Sequence, residues 1–73
     1  MNVQTETIPV RINGDERAVP ADLVATELLE HLGLHPRMVV VERNGEIVRP
    51  DALAATRIQP GDTLELVHFV GGG

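Results

Sequence analysis

Residues 7–12, Thr-Ile-Pro-Val-Arg-Ile, alternate in polarity, with Ile8, Val10 and Ile12 on one side. That period of two predicts a strand with one buried face. Pro9 cannot donate a ladder hydrogen bond, so it belongs at the strand's start or on an open edge. Asn13-Gly14 follows, and both residues tolerate the positive φ of a type I′ hairpin turn. A short return strand over about residues 16–19 is closed by Pro20. The period then changes. Val24, Leu28 and Leu32 recur at i, i+4 spacing, flanked by Ala25 and Leu29, while Thr26, Glu27, Glu30 and His31 fall on the other side. This predicts an amphipathic helix over about residues 23–32, with Asp22 as N-cap and Gly33 as the left-handed C-terminal cap. Met38-Val39-Val40-Val41-Glu42 is almost continuously apolar and β-branched, as an interior strand would be. Asn44-Gly45 repeats the hairpin signal before Ile47-Val48. Asp51-Ala52-Leu53-Ala54-Ala55 reads as one helical turn capped by Asp51, and Pro60-Gly61-Asp62 as a turn. Residues 63–70 form the last strand.

The order is hairpin, helix, strand, short return, turn, strand. A helix between two hairpin-like halves needs a sheet whose first and last strands lie side by side. That is the β-grasp arrangement, an α+β fold. We expect a mixed sheet of four to five strands with one main helix packed on one face. At 73 residues the chain is expected to be one domain, with residues 1–5 loose and residues 71–73 a flexible glycine tail.

Composition narrows the function. There are no cysteines, which removes disulfides and thiolate metal sites. Phe69 is the only aromatic residue, so the core must be built from Leu, Val, Ile and Ala. Eleven acidic against six basic residues give a formal charge of −5. That argues against nucleic acid and anionic membranes as partners, and it suits a protein partner with a basic surface. No apolar run is long enough to cross a bilayer, and a cytoplasmic protein that is monomeric when free is expected.

The chain offers no convincing active site of its own. His31 and His35 are four apart, but Gly33 and Pro36 make a helix through both improbable and no third ligand stands nearby; both are read as solvated. His68 lies near the tail and is read as packing or rimming an interface. There is no nucleophile elbow, zinc-ligand spacing or phosphate-cradling loop. What remains is Val70-Gly71-Gly72-Gly73 directly after a strong strand. Alone, the glycines would be read as a frayed end or a linker. Behind an anchored strand they become a displayed tail. Three extended residues reach roughly 10 Å, and without side chains Gly71 and Gly72 can thread a narrow channel in a partner. Read as the C-terminus, Gly73 carries an ionised carboxylate, a poor electrophile that must be activated, most simply by adenylation with ATP. The protein is then a substrate rather than a catalyst.

Alternation in the last strand places Leu64, Leu66 and His68 on one face and Glu65, Val67 and Phe69 on the other. A helix on the Leu64 side would leave Val67 and Phe69 exposed, joined by Val39 or Val41 of the neighbouring strand. With Val70 they would make a partner-docking surface beside the tail, rimmed by Glu42, Glu46, Glu65 and Asp62; the alternative is that a loop or the short helix covers them.

These residues resemble a known family, the ThiS-type sulfur carrier proteins of thiamin biosynthesis, small β-grasp relatives of ubiquitin. The resemblance covers nearly the whole chain after Glu6. It is carried by Ile12-Asn13-Gly14, by Leu28-Leu29-Glu30-His31-Leu32-Gly33-Leu34, and by Val40-Val41-Glu42-Arg43-Asn44-Gly45-Glu46-Ile47-Val48. Pro60-Gly61-Asp62 and Val67-His68-Phe69-Val70-Gly71-Gly72-Gly73 complete it. The resemblance implies that a ThiF-like adenylyltransferase would adenylate Gly73. A cysteine desulfurase or sulfurtransferase would supply the sulfur for a thiocarboxylate, and a ThiG-like thiazole synthase would accept it. No bound cofactor is implied; the partner uses ATP. The nearest alternatives are a carrier of the molybdopterin-synthase small-subunit type and a ubiquitin-like protein modifier. A plain interaction module with an inert tail is the third.

Overall fold

The computed structural model describes residues 6–69. Strands β1 (Thr7–Ile12) and β2 (Asp15–Pro20) form the first hairpin, followed by helix α1 (Ala25–His31). Strands β3 (Val39–Arg43) and β4 (Glu46–Val48) form the second hairpin, and β5 (Thr63–His68) is the last described element. Short 3-10 segments lie at Pro36–Met38 and Pro50–Ala55. The five strands form one sheet in the order β2-β1-β5-β3-β4. β5 is the middle strand, parallel to β1 and antiparallel to β3.

Both hairpins turn through the Asn-Gly pairs. Asn13 and Gly14 have φ of +51° and +89°, and Asn44 and Gly45 have +52° and +88°. These left-handed pairs match the right-handed twist of the flanking strands. Pro9 lies inside β1, opposite Ala18. Arg11 N–H and Asn13 N–H both point toward β5, so by alternation the missing Pro9 N–H would also face that side. The β5 ladder meets β1 only at Arg11 and Ile12. Pro9 therefore costs no ladder bond, but it lies neither at the strand's start nor on an open edge: β1 runs between β2 and β5, and Pro9 O accepts from Gly61 N–H at 2.7 Å.

The helix starts later than its apolar spacing predicts, and Asp22 is not its cap. Asp22 has φ +66°, whereas an N-cap residue needs the extended region. Residues 23 and 24 are extended because they pair with the chain near Ile58. Ile58 N–H donates to Leu23 O at 2.9 Å, and Val24 bridges Arg57. Val24 takes the N-cap position, where the Glu27 carboxylate accepts its N–H at 2.9 Å. Ala25 N–H donates to Thr56 O at 2.8 Å. The far end ends as expected at Gly33, φ +79°. Gly33 N–H bonds Glu30 O and Leu34 N–H bonds Leu29 O, a Schellman closure. In the second 3-10 segment Arg49, not Asp51, is the N-cap; Asp51 lies in the first turn, in an exposed pair with Arg49.

α1 covers one face of the sheet. Ala25, Leu28 and Leu29 pack against Val10, Ile12, Val19, Val39, Val41 and Leu64, with Leu53 and Ile58 completing the core. Leu64 of the middle strand is 0% exposed.

Asp62 is the one buried charged residue among those described, at 5% exposure. Its Oδ2 accepts from Arg43 Nε and Gln59 N–H, both at 2.8 Å, and its Oδ1 from Asn44 Nδ2 at 3.1 Å. This carboxylate was expected on the rim of a docking surface. It is instead the knot that ties the β3–β4 turn to the start of β5. Burial alone would raise its pKa, but the bonds from Gln59, Arg43 and Asn44, together with the Arg43 charge, outweigh burial and hold it below the ordinary value.

Asp62→Asn leaves one acceptor oxygen facing three donors. It is expected to cost about 2 kcal/mol at pH 7, read as a lower denaturation midpoint. A depressed folded pKa stabilises above the unfolded value of about 3.9, and that contribution is lost as pH falls through the folded value. The gap between wild type and variant should therefore narrow below about pH 4.

Candidate functional site

Among the described residues no helix packs on the face opposite α1. Register decides which side chains it carries. Val40 lies opposite Val67, Glu42 opposite Glu65, and Ile47 opposite Glu42. Val67 is 61% exposed, Ile47 65% and Phe69 48%. Single exposed apolar residues are unremarkable, but Val40, Ile47 and Val67 share one face beside the last described residue, Phe69. Phe69 N–H donates to Met38 O at 2.8 Å, which carries the β3–β5 ladder one residue past the strand. Its ring forms one wall of an apolar groove of about 360 Å³ with Pro36, Val39, Val48, Pro50 and Leu53.

Val67 and Phe69 are thus exposed, while Val39 and Val41 do not join them. Both are buried on the helix side, because Val39 lies opposite His68 and Val41 opposite Leu66. Val40 and Ile47 take their place. A signal for them was present: a two-residue turn at Asn44-Gly45 pairs Arg43 with Glu46 and Glu42 with Ile47, which puts Ile47 on the face of Val40.

Glu42 and Glu65 sit directly opposite each other on this face. Like charges so placed are unfavourable, and among the described residues neither is in an ion pair. Glu46 is exposed in β4. Asp62 is elsewhere, in the knot described above.

His31 and His68 are exposed, and His35 is exposed with a local task, its Nδ1 accepting from Arg37 N–H at 3.2 Å. Among the described residues no group of three His, Cys, Asp or Glu side chains is placed to hold a metal, and no helix is long and apolar enough to cross a membrane. Val70, Gly71, Gly72 and Gly73, the tail singled out by sequence, lie outside the described residues. The chain enters that tail from Phe69, at the pole formed by the Asn13-Gly14 turn, the end of α1 and Pro36–Met38.

A helix crossing one face of a five-stranded mixed sheet, with first and last strands parallel at its centre, defines a ubiquitin-like β-grasp domain. The ThiS family model matches residues 10–73, and the chain belongs to that family. A crystal structure of the thiamine biosynthesis protein ThiS from Geobacter metallireducens superimposes with a TM-score of 0.77 at 36% identity, covering 90% of this chain and 100% of that one. The sulfur carrier protein ThiS of Bacillus subtilis is 40% identical over 47 residues, 64% of this chain and 71% of that protein. A thiazole synthase of Paramagnetospirillum magneticum is 47% identical over 62 residues, 85% of this chain but 19% of the synthase. The chain spans about a fifth of the length of the thiazole synthases it matches.

The two faces of β5 should respond differently to truncation. Leu64→Ala is expected to cost about 3 kcal/mol, whereas Val67→Ala and Phe69→Ala should each cost under about 1 kcal/mol. Urea denaturation of the three variants checks this. A Phe69→Ala loss equal to that of Leu64→Ala would make Phe69 a core residue.

Proposed function

We propose that this chain is a sulfur carrier of thiamin biosynthesis and a protein co-substrate rather than an enzyme. The observation that carries the reading is β5 itself. It is central in the sheet, paired on both flanks and buried on one face, and it runs directly into Val70-Gly71-Gly72-Gly73. Membership of the ThiS family supports the same reading.

A ThiF-like adenylyltransferase would join the Gly73 carboxylate to AMP, with pyrophosphate leaving ATP. The mixed anhydride makes the acyl carbon electrophilic. The terminal sulfur of a persulfide, supplied by a cysteine desulfurase or sulfurtransferase, attacks that carbon and AMP leaves. Cleavage of the sulfur–sulfur bond by a thiol releases the thiocarboxylate. This soft nucleophile would pass its sulfur to a ThiG-like thiazole synthase for thiazole formation. The thiazole synthases that contain a stretch similar to this chain support such an acceptor. We place this ATP-dependent chemistry in the cytoplasm.

The chain's own contribution is presentation. Gly71 and Gly72 would enter the partner as bare backbone, while Val67, Phe69 and Val70 dock beside them. Val40 and Ile47 extend that surface. The facing carboxylates of Glu42 and Glu65 favour a partner with a basic rim, whose cation would relieve their repulsion.

Intact mass after incubation with a ThiF-like enzyme, ATP and a sulfur donor tests the reading. One oxygen replaced by sulfur is the expected result. Lysine-linked conjugates would favour a protein modifier, and an unchanged mass would contradict activation altogether. Removing Gly73 should abolish thiolation and leave the melting temperature unchanged. Phe69→Ala should weaken binding to the activating enzyme by about tenfold or more, the loss of one buried aromatic anchor.

A further inference from the structure

Asn13 and Asn44 occupy equivalent places in two equivalent turns, yet their side chains hold opposite ends of β5. Asn44 holds the start. Its Oδ1 accepts from Thr63 N–H at 2.9 Å and its Nδ2 donates to Asp62. Asn13 holds the end. Its Oδ1 accepts from Leu66 N–H at 2.8 Å, and its Nδ2 donates to Leu66 O at 3.2 Å.

The reason lies in how β1 stops. Its last backbone rung to β5 runs from Asn13 N–H to Leu64 O at 2.9 Å. At Asn13 the positive φ bends the chain away toward β2, so no further backbone rung can form. The side-chain amide takes over, since a primary amide offers the same donor and acceptor as a peptide group. Leu66 is thereby held on the β1 side, and β3 holds the other flank through Val40–Val67, Val39–His68 and the bond from Phe69 N–H to Met38 O. Without the amide, the stretch held on one side only would begin at residue 65 rather than at residue 67. Asn13 is exposed, and glycine would serve the turn equally well, so the turn alone does not require asparagine there.

We propose that Asn13 is a positioning residue that fixes where β5 ceases to be held on both flanks, and so fixes the point from which the tail leaves the fold. The role in tail delivery rests on the carrier function proposed above; the tether itself does not. A tail that starts from a fixed point needs less ordering to enter a partner's channel.

The test compares wild type, Asn13→Gly and Asn44→Gly as full-length chains. Glycine keeps the turn at either position and removes only the amide. Amide hydrogen exchange by NMR reads the tether as the rate at Leu66 relative to Leu64. Pyrophosphate release by a ThiF-like enzyme gives KM and kcat for each chain as substrate. Asn13→Gly is expected to raise the Leu66 ratio about fivefold and to raise KM by a similar factor with kcat unchanged. Asn44→Gly should lower the melting temperature but leave both the ratio and KM as in wild type. An unchanged Leu66 ratio in Asn13→Gly overturns the tether. A raised ratio with unchanged KM overturns the positioning role, as does an equal rise in KM for Asn44→Gly. If wild type itself releases no pyrophosphate, the carrier reading and the positioning role fall together, and the exchange ratio still decides the tether.

Discussion

The structure depends on β5 being held from both flanks at once. Its parallel partner β1 and its antiparallel partner β3 come from different hairpins, so neither half of the chain completes the sheet without it. Its buried side carries Leu64, which no solvent reaches. The Asp62 carboxylate secures its entry by gathering Arg43 and Asn44 from the β3–β4 turn and Gln59 from the loop before β5. The sheet is thus closed around the strand that leads to the chain's last glycines, and a pull on that tail is resisted by ladder bonds on two sides.

One helix can cover only one face of such a sheet. The other face is left with Val40, Ile47 and Val67 in adjacent strands and with Phe69 at its border. Two glutamates face each other there, and among the described residues neither is in an ion pair. A chain selected only for its own stability would not place like charges in register on an open apolar face. The docking role proposed for this face would have a second protein cover it, and the strand that supplies Val67 is the one that leads to Val70-Gly71-Gly72-Gly73.

Much of this was legible from local sequence. Asn13-Gly14 and Asn44-Gly45 locate both hairpins, because type I′ geometry depends only on the two turn residues. The face of β5 was readable because Thr63, Leu64, Glu65 and Leu66 alternate in polarity, which puts Val67 on the side of Glu65. The main departures arise from contacts between distant residues. The helix begins late because residues 23 and 24 pair with 57 and 58, and nothing near Asp22 announces that pairing. Asp62 looked like a turn carboxylate, since its partners Arg43 and Asn44 lie almost twenty residues away. Val39-Val40-Val41 has no alternation, so its faces could be assigned only once its register with β5 was known. The tail was conspicuous in sequence, and it lies outside the described residues.

In the function proposed above, partners meet the uncovered face of the sheet rather than the helix. Methyl-resolved cross-saturation NMR of the labelled chain bound to an unlabelled ThiF-like enzyme tests it most directly. Transfer is expected at the methyl groups of Val40, Ile47 and Val67, with none at Leu28 and Leu29. Transfer to methyl groups on the helix side, with Val40, Ile47 and Val67 silent, would contradict it.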